Sequence, residues 1–198
     1  MKKLIYLAVM LFVIAGCIQK KEKIYNGDAE DAEVSDSTIY GICGKGTMMH
    51  TLELITNMQD TLEIHINDEY SNDQTLVAGG LMCGDRMAVT AHKTEEGWVA
   101  QRVLNLTSLL GKWASIDKSF EITEDGEVKS HVKIESNSWT SWRILNGQLL
   151  LNRDTFDIVG ISADSLQIEN REGIFAYRRM IAVPEKKNKA KKDSIVKK

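Results

Sequence analysis

Proline is almost missing from this chain, and so is any long stretch of helical periodicity. The single proline among the 198 residues is Pro184. From Thr38 to Met180 the sequence instead has short apolar–polar alternations separated by glycine. Alternation with a period of two is typical of half-buried strands, whereas amphipathic helices repeat about every 3.6 residues. The absence of helical spacing argues against a helical bundle and against an α/β fold with crossover helices.

The chain also lacks the residue patterns of common catalytic and metal sites. Its histidines, His50, His65, His92 and His131, are dispersed, and no pair has the spacing of a metal site. No glycine–serine elbow or pair of catalytic carboxylates is visible, and residues 41–47 lack the spacing of a phosphate-binding loop. The sequence therefore predicts a protein with no enzymatic activity, no cofactor and no dedicated metal site.

Cysteine is scarce as well, and occurs only as Cys17, Cys43 and Cys83. If Cys17 carries lipid, two cysteines remain in an oxidising compartment, which suffices for one disulfide. Cys43 and Cys83 can pair only if the fold brings their Cα atoms within about 7 Å. The sequence therefore leaves two alternatives: a Cys43–Cys83 disulfide, or two buried free thiols.

An export signal precedes Cys17. Two lysines are followed by an apolar run from Leu4 to Ile14, which are the positive and apolar regions of a signal peptide. The run is too short for the roughly 20 residues that span a bilayer as a helix. The small pair Ala15-Gly16 before Cys17 resembles the bacterial lipobox, in which the peptide is cut before an acylated cysteine. The resemblance implies that residues 1–16 are a lipoprotein signal peptide and that acylated Cys17 anchors the chain in a lipid bilayer.

Two polar segments flank the region of alternating pattern. Residues 17–37 combine the acylated cysteine with an acidic stretch of few large apolar side chains, which predicts a flexible tether. Residues 184–198 hold seven lysines against Glu185 and Asp193, which predicts a disordered tail. The whole chain nevertheless has a formal charge of -3, so the positive charge of the tail must be outweighed elsewhere. The region between the two segments is therefore acidic. Nucleic acid is not an expected partner, since phosphate neutralisation supplies most of the affinity for it.

The first part of the acidic region is predicted to be a small antiparallel barrel. Leu52 and Leu54 alternate with polar residues, as do Leu62, Ile64 and Ile66. Further strands are predicted at residues 74–78, 86–92 and 98–106, with glycine-containing turns between them. Five or six short strands without a crossover helix favour a barrel.

Turn and packing residues in this part resemble the first half of a two-domain family of secreted lipoproteins from Bacteroidetes. The residues that carry the resemblance are Thr51-Leu52-Glu53-Leu54, Asp60-Thr61-Leu62, Gly79-Gly80-Leu81, Gly84-Asp85, Ala88-Val89-Thr90 and Val103-Leu104-Asn105-Leu106. The resemblance implies an all-β chain. Residues 38–106 would form a barrel of the oligonucleotide/oligosaccharide-binding (OB) type, and residues 107–183 a lipocalin-like barrel.

The second part is predicted to be an eight-stranded meander of short strands. Its strongest hairpin signal is Asn146-Gly147, because both residues tolerate the positive φ of a type I′ turn. Eight strands in up-and-down order suffice to close a barrel.

A short motif opens this meander. Gly111, Lys112 and Trp113 resemble the first strand of lipocalins, in which the tryptophan closes one end of the barrel beneath an arginine from the last strand. The resemblance implies structural roles for Gly111 and Trp113, with Arg178 or Arg179 as the arginine. An arginine over an indole ring is a cation–π pair, worth about 0.5–2 kcal/mol.

Because the strands are short, any cavity inside the second barrel is expected to be small. Its expected lining residues are Phe120, Ile122, Trp139, Trp142, Phe156 and Leu166. The leading hypothesis is a non-enzymatic outer-membrane lipoprotein, on the periplasmic face or the cell surface, that binds a small apolar or amphiphilic ligand there. A second hypothesis is an interaction protein with a filled barrel that binds an envelope protein or a glycan. A third is a sensor of envelope stress or copper, which rests on the soft ligands of Met48-Met49-His50 and Met82-Cys83.

Overall fold

The computed structural model describes residues 35–67, 74–132 and 138–180, and these residues form two β-sheets joined by one short helix, α1 (Leu106–Leu109). The first sheet contains β1 (Ile39–Cys43), β2 (Thr51–Thr56), β3 (Thr61–His65), β4 (Leu76–Ala78), β5 (Arg86–Thr94) and β6 (Gly97–Asn105). The second contains β7 (Gly111–Ala114), β8 (Ser119–Ile122), β9 (Val128–Ser130), β10 (Trp142–Leu145), β11 (Gln148–Leu151), β12 (Asp154–Ile161), β13 (Ser165–Asn170) and β14 (Gly173–Arg179). Both sheets belong to one compact unit.

The first sheet is a closed five-stranded barrel with the strand order of an OB-type fold. The order β3-β2-β1-β5-β6 is completed by a parallel pairing of β6 with β3, through Ile64 with Trp98 and His65 with Val99. The short strand β4 adds to the outer side of β6, also in parallel. The predicted OB-like barrel is confirmed, although its closure is parallel and not antiparallel.

The first barrel is filled by apolar side chains that alternate with polar ones along its strands. The buried residues of its core are Cys43, Leu52, Leu54, Ile64, Ile66, Met87, Val89, Ala100 and Val103. Strand β1 was not among the predicted strands, because its glycine interrupts the apolar pattern. A Cβ at Gly41 would lie 2.4 Å from the carbonyl oxygen of Ile55, so the close approach of β1 to β2 requires glycine there.

The second sheet is a nearly closed eight-stranded barrel in which every pairing is antiparallel. Its order is β10-β11-β12-β13-β14-β7-β8-β9, so consecutive strands are neighbours and β14 returns to pair with β7. A bridge between Glu127 and Ser141 brings β9 close to β10. The predicted lipocalin-like meander is confirmed. The sequence pattern predicts one of these strands over residues 139–145, but the strand begins at Trp142, and Trp139 lies in the preceding segment.

The two barrels are packed against each other. Ala78, Ala88 and Leu104 of the first sheet belong to the hydrophobic cluster that fills the second barrel. The predicted division between residues 106 and 107 falls within α1, whose N-cap Asn105 is buried and accepts a hydrogen bond from the backbone of Ser108 (2.8 Å). The predicted signal peptide, nearly all of the predicted tether, the predicted tail and Cys17 lie outside the described residues.

Polar contacts also cross this apolar interface, and two of them join strands of the two barrels. The Tyr40 hydroxyl donates a hydrogen bond to the carbonyl oxygen of Ile144 (3.0 Å). The Arg102 guanidinium lies 2.7 Å from the Asp157 carboxylate. These contacts join β1 to β10 and β6 to β12, so hydrogen bonds and an ion pair hold the two barrels together in addition to apolar packing.

Candidate functional site

The interior of the second barrel is filled by side chains. Of the six residues predicted to line a cavity, all but Trp142 are buried members of one packed cluster. Trp142 is half-buried at the edge of this cluster, and its indole nitrogen donates a hydrogen bond to the carbonyl oxygen of Thr123 (2.8 Å). Three clefts in the described residues lie elsewhere, and none of the three is lined by any of these six side chains.

Aromatic rings account for much of this filling. Phe120 makes edge-to-face contacts with Trp139 (ring centres 5.2 Å apart) and with Tyr177 (5.0 Å). Trp139 in turn contacts Phe156 (5.6 Å), which contacts Phe175 (6.1 Å). Such ring pairs add about 0.5–1.5 kcal/mol each beyond the burial of their surface. The ammonium group of Lys118 lies 3.7 Å from the centre of the Trp139 ring and covers it from outside.

One end of the second barrel is closed by Trp113 and Arg179. Trp113 is fully buried, and its indole nitrogen donates a hydrogen bond to the carbonyl oxygen of Leu109 (2.9 Å). The Arg179 guanidinium lies 4.1 Å from the Trp113 ring centre and donates to the carbonyl oxygens of Leu110 (2.7 Å) and Ser108 (2.5 Å). The structure thus places Arg179, and not the exposed Arg178, over the ring.

Gly111 makes room for this arginine. Its φ is +125°, and a Cβ at this position would lie 2.7 Å from a terminal nitrogen of Arg179. Any larger residue at position 111 would therefore strain the backbone and displace the guanidinium. Burial of Arg179 also lowers its pKa from the ordinary value. All of these contacts are structural, because each joins parts of the chain that close this end of the barrel.

The structure brings Cys43 and Cys83 into the same part of the first barrel, with both thiols free. Cys43 is buried, whereas Cys83 is exposed in the turn before Gly84. Backbone hydrogen bonds join Cys43 to Gly84 (2.8 Å) and to Asp85 (2.9 Å). Burial raises the pKa of the Cys43 thiol, and the neighbouring Cys83 adds to that shift. A raised pKa lowers the thiolate fraction, so Cys43 is poorly suited to act as a nucleophile.

Metal-binding groups do not converge in the part of the chain that the structure describes. No group of three or more histidine, cysteine, aspartate or glutamate side chains there could hold a metal ion. Met48, Met49 and Met82, which the copper hypothesis invoked, are all exposed. The copper hypothesis therefore gains no support from the positions of these side chains.

A cleft of about 220 Å³ lies on the outer surface of the first barrel, where β3 meets β6. Its lining residues are Thr51, Glu63, His65, Thr94, Glu96, Gly97, Trp98 and Val99. Trp98 is half-buried and packs on the core of the first barrel, whereas Glu63, His65 and Glu96 are exposed. The cleft therefore combines part of an indole ring with carboxylates and hydroxyl groups.

The sequence alone does not predict this cleft. Its residues come from three segments, and only the parallel pairing of β3 with β6 brings Glu63 and His65 next to Trp98. The one local signal was a tryptophan directly after the turn at Glu95-Glu96-Gly97, a position where a large aromatic side chain is only partly covered.

Two further clefts lie on other outer surfaces. One of about 490 Å³ is lined mostly by polar residues of β5 and β6, together with Ala100, Gln74 and Asn146. The other, of about 730 Å³, runs beside β14 and contains Ile116, Ile174 and Phe175 among its lining residues.

No known protein family, curated protein or solved structure matches this chain. The resemblance to the Bacteroidetes lipoproteins therefore stays a prediction. Among residues 35–67, 74–132 and 138–180, no helix has the length and apolar character needed to cross a membrane.

Proposed function

We propose that this chain is a non-enzymatic envelope lipoprotein that binds a glycan on the outer surface of its first barrel. The filled interior of the second barrel supports this function over ligand carriage, because a carrier needs an interior space that encloses most of its ligand. Phe120, Trp139 and Phe156 occupy the volume in which an apolar ligand would have to lie. Binding is then left to the outer surfaces.

The chemistry of the cleft beside Trp98 supports a glycan as the partner. Sugar rings present apolar C–H faces that pack on an indole, and hydroxyl groups that donate hydrogen bonds to carboxylates. Trp98 offers the apolar surface, and Glu63 and Glu96 offer the acceptors. OB-type barrels commonly bind oligosaccharides or oligonucleotides on their second and third strands, and Thr51 and Glu63 belong to β2 and β3.

Charge narrows the class of glycan. The lining residues of the cleft include two carboxylates and neither lysine nor arginine. An acidic sugar or a phosphate would be repelled by Glu63 and Glu96, whereas a neutral hydroxyl-rich sugar would be bound by them. A volume of about 220 Å³ suits a short segment of a longer glycan.

A glycan array of neutral and acidic oligosaccharides, probed with the full-length chain, tests this function. We expect binding to neutral oligosaccharides, and at least about a tenfold weaker affinity in the double variant E63Q/E96Q, because the charge-assisted hydrogen bonds are lost. The matched control is E95Q, since Glu95 is also exposed but does not line the cleft. Absence of binding to every neutral oligosaccharide, or an equal loss in E95Q, would refute the assignment.

Carriage of a small apolar ligand stays a prediction, and native mass spectrometry of the chain purified from a bacterial periplasm tests it. We expect the mass of the protein alone, because the second barrel is filled. A bound species of a few hundred daltons that dissociates on denaturation would favour the carrier instead.

The membrane attachment is part of the same proposal and rests on the sequence around Cys17. Acylation there would hold the folded part at the outer membrane, on its periplasmic face or at the cell surface. Metabolic labelling with a fatty acid should mark the wild-type chain and not C17S, and C17S should leave the membrane fraction. Equal labelling of both chains would overturn the attachment.

A further inference from the structure

The second barrel has an apolar projection directly beside an apolar groove. Ile116, in the connection from β7 to β8, is fully exposed to solvent, with a relative exposure of 103%. The cleft of about 730 Å³ beside it is lined by Ala114, Ser115, Ile116, Asp117, Ser165, Ile174, Phe175, Ala176, Tyr177 and Arg178. Ile174 in this groove is 63% exposed. Two large aliphatic side chains in contact with water at one groove mark a surface suited to an apolar partner.

The groove exists because β7 and β14 diverge. In the described residues these strands pair at only two positions, Trp113 with Arg179 and Ala114 with Arg178. Beyond Ala114 the chain leaves β14 and forms the connection that carries Ile116, while β14 continues to pair with β13 on its other side. Ile174, Phe175 and Ala176 of β14 therefore border the groove on this side, where β7 no longer pairs with β14.

The groove also carries one acidic and one basic residue. Asp117 directly follows the projecting Ile116, and Arg178 lies on β14, and both are exposed lining residues. In a two-fold symmetric interface, residue i of one copy contacts residue j of the other, and j contacts i in return. A surface with a projection, a groove and opposite charges is complementary to itself under such symmetry.

We propose that a second copy of this chain occupies the groove, with Ile116 of each copy entering the groove of the other. Asp117 of one copy then faces Arg178 of the second copy, and the reverse pair forms at the other side of the two-fold axis. This self-association is independent of the glycan cleft, because that cleft lies on the first barrel.

Charge reversal in two differently tagged full-length chains, expressed in the same cells, tests the proposed contact. Wild-type copies should purify together. Two copies of D117R should lose at least about tenfold in co-purification, because the introduced arginine would meet Arg178 twice, and two copies of R178D should lose as much by the same repulsion of like charges. A D117R copy with an R178D copy should associate again, since one of its two pairs joins the native aspartate to the native arginine and the other joins the same two charges in exchanged positions.

The recovery in the mixed pair cannot come from a folding defect, because each variant chain is the same in the mixed and unmixed experiments. Charge reversals on the first barrel, D60R and K93D, serve as controls and should leave co-purification unchanged. If wild-type copies fail to purify together, or if the mixed pair stays as weak as the unmixed pairs, the proposed interface is wrong.

The apolar part of the contact has its own matched pair of variants. I116D should abolish co-purification, because it would place a carboxylate in the apolar groove. M58D replaces another highly solvent-exposed apolar residue, on the first barrel, and should leave co-purification unchanged. Circular dichroism should show both variants folded, since neither side chain belongs to a hydrophobic core. An equal loss in M58D would show that association does not use the groove.

Discussion

The two barrels hold their last strand in place by different means. In the first, backbone pairing of β3 with β6 completes the ring of strands. In the second, β7 and β14 also pair at two positions, as β3 and β6 do, and Arg179 adds hydrogen bonds to the carbonyl oxygens of Leu110, Ser108 and Ala163. The seam between β7 and β14 therefore relies on particular side chains in addition to backbone pairing. A single substitution should harm the second barrel more than the first.

The largest expected effect is that of W113A. It removes a fully buried indole from the closed end of the second barrel and should lower the free energy of unfolding by about 3–5 kcal/mol. The comparison is W98A in the first barrel, which should cost less because Trp98 is half-exposed. Urea unfolding followed by circular dichroism measures both. Equal losses would contradict the difference between the barrels.

The next effect is that of R179A, measured against R178A. Loss of three hydrogen bonds to carbonyl oxygens and of the contact with Trp113 should lower the free energy of unfolding by about 2–3 kcal/mol. R178A changes an exposed neighbour and should stay within about 0.5 kcal/mol of the wild type. R179K should recover little, because an ammonium group cannot reproduce the planar fork of donors. If R179K behaved as the wild type, closure would need only a positive charge.

A smaller effect is expected at the interface between the barrels. Burial alone would raise the pKa of Asp157, but hydrogen bonds from Gln148 and Arg102, together with the charge of Arg102, hold it below its ordinary value of 3.8. Because the ionised carboxylate is favoured in the folded state, its contribution is present above pH 3.8 and is lost as the pH falls through the folded-state pKa.

In D157N this part of the acid dependence should disappear, with a cost at neutral pH of at most about 1 kcal/mol, because the pair is partly exposed to solvent. Urea unfolding at a series of acidic pH values provides the measurement. A slope in D157N as steep as that of the wild type would show that the Arg102 pair does not stabilise the interface.

The smallest expected effect concerns the two thiols and involves no change in stability. Cys83 should react with a thiol reagent at the rate of an exposed residue, whereas Cys43 should react only when the first barrel opens. In C83S the remaining reaction should be the slow one. Repeating the labelling in W113A shows whether loss of the second barrel exposes the core of the first. Rapid labelling of Cys43 in the otherwise wild-type chain would contradict its buried position.

Much of the fold could be predicted from local patterns. Alternation placed Leu52 and Leu54 on one side of β2, and both are fully buried. Asn146 and Gly147 have φ values of +50° and +76°, as a tight hairpin turn requires. These features are determined by residues close together in the sequence, so the sequence alone sufficed to identify them.

Other features depend on contacts between distant residues and could not be predicted. Arg178 and Arg179 point to opposite sides of β14, and only the register with β7 decides which one covers Trp113. The residues expected to line a cavity were placed inside the barrel, but whether space remained among them depended on how Phe120, Trp139 and Phe156 packed. The cleft beside Trp98 depended on the parallel pairing of β3 with β6.

The contacts of Arg179 also set an order of assembly. A chain that emerges with its amino terminus first has all strands of the first barrel available once Asn105 has appeared. Two of the partners of Arg179, Ser108 and Leu110, precede it by 71 and 69 residues. Chains tend to fold unit by unit from the amino terminus during synthesis. Until its final strand arrives, the second barrel therefore remains open to holding chaperones and proteases, while the first is already complete.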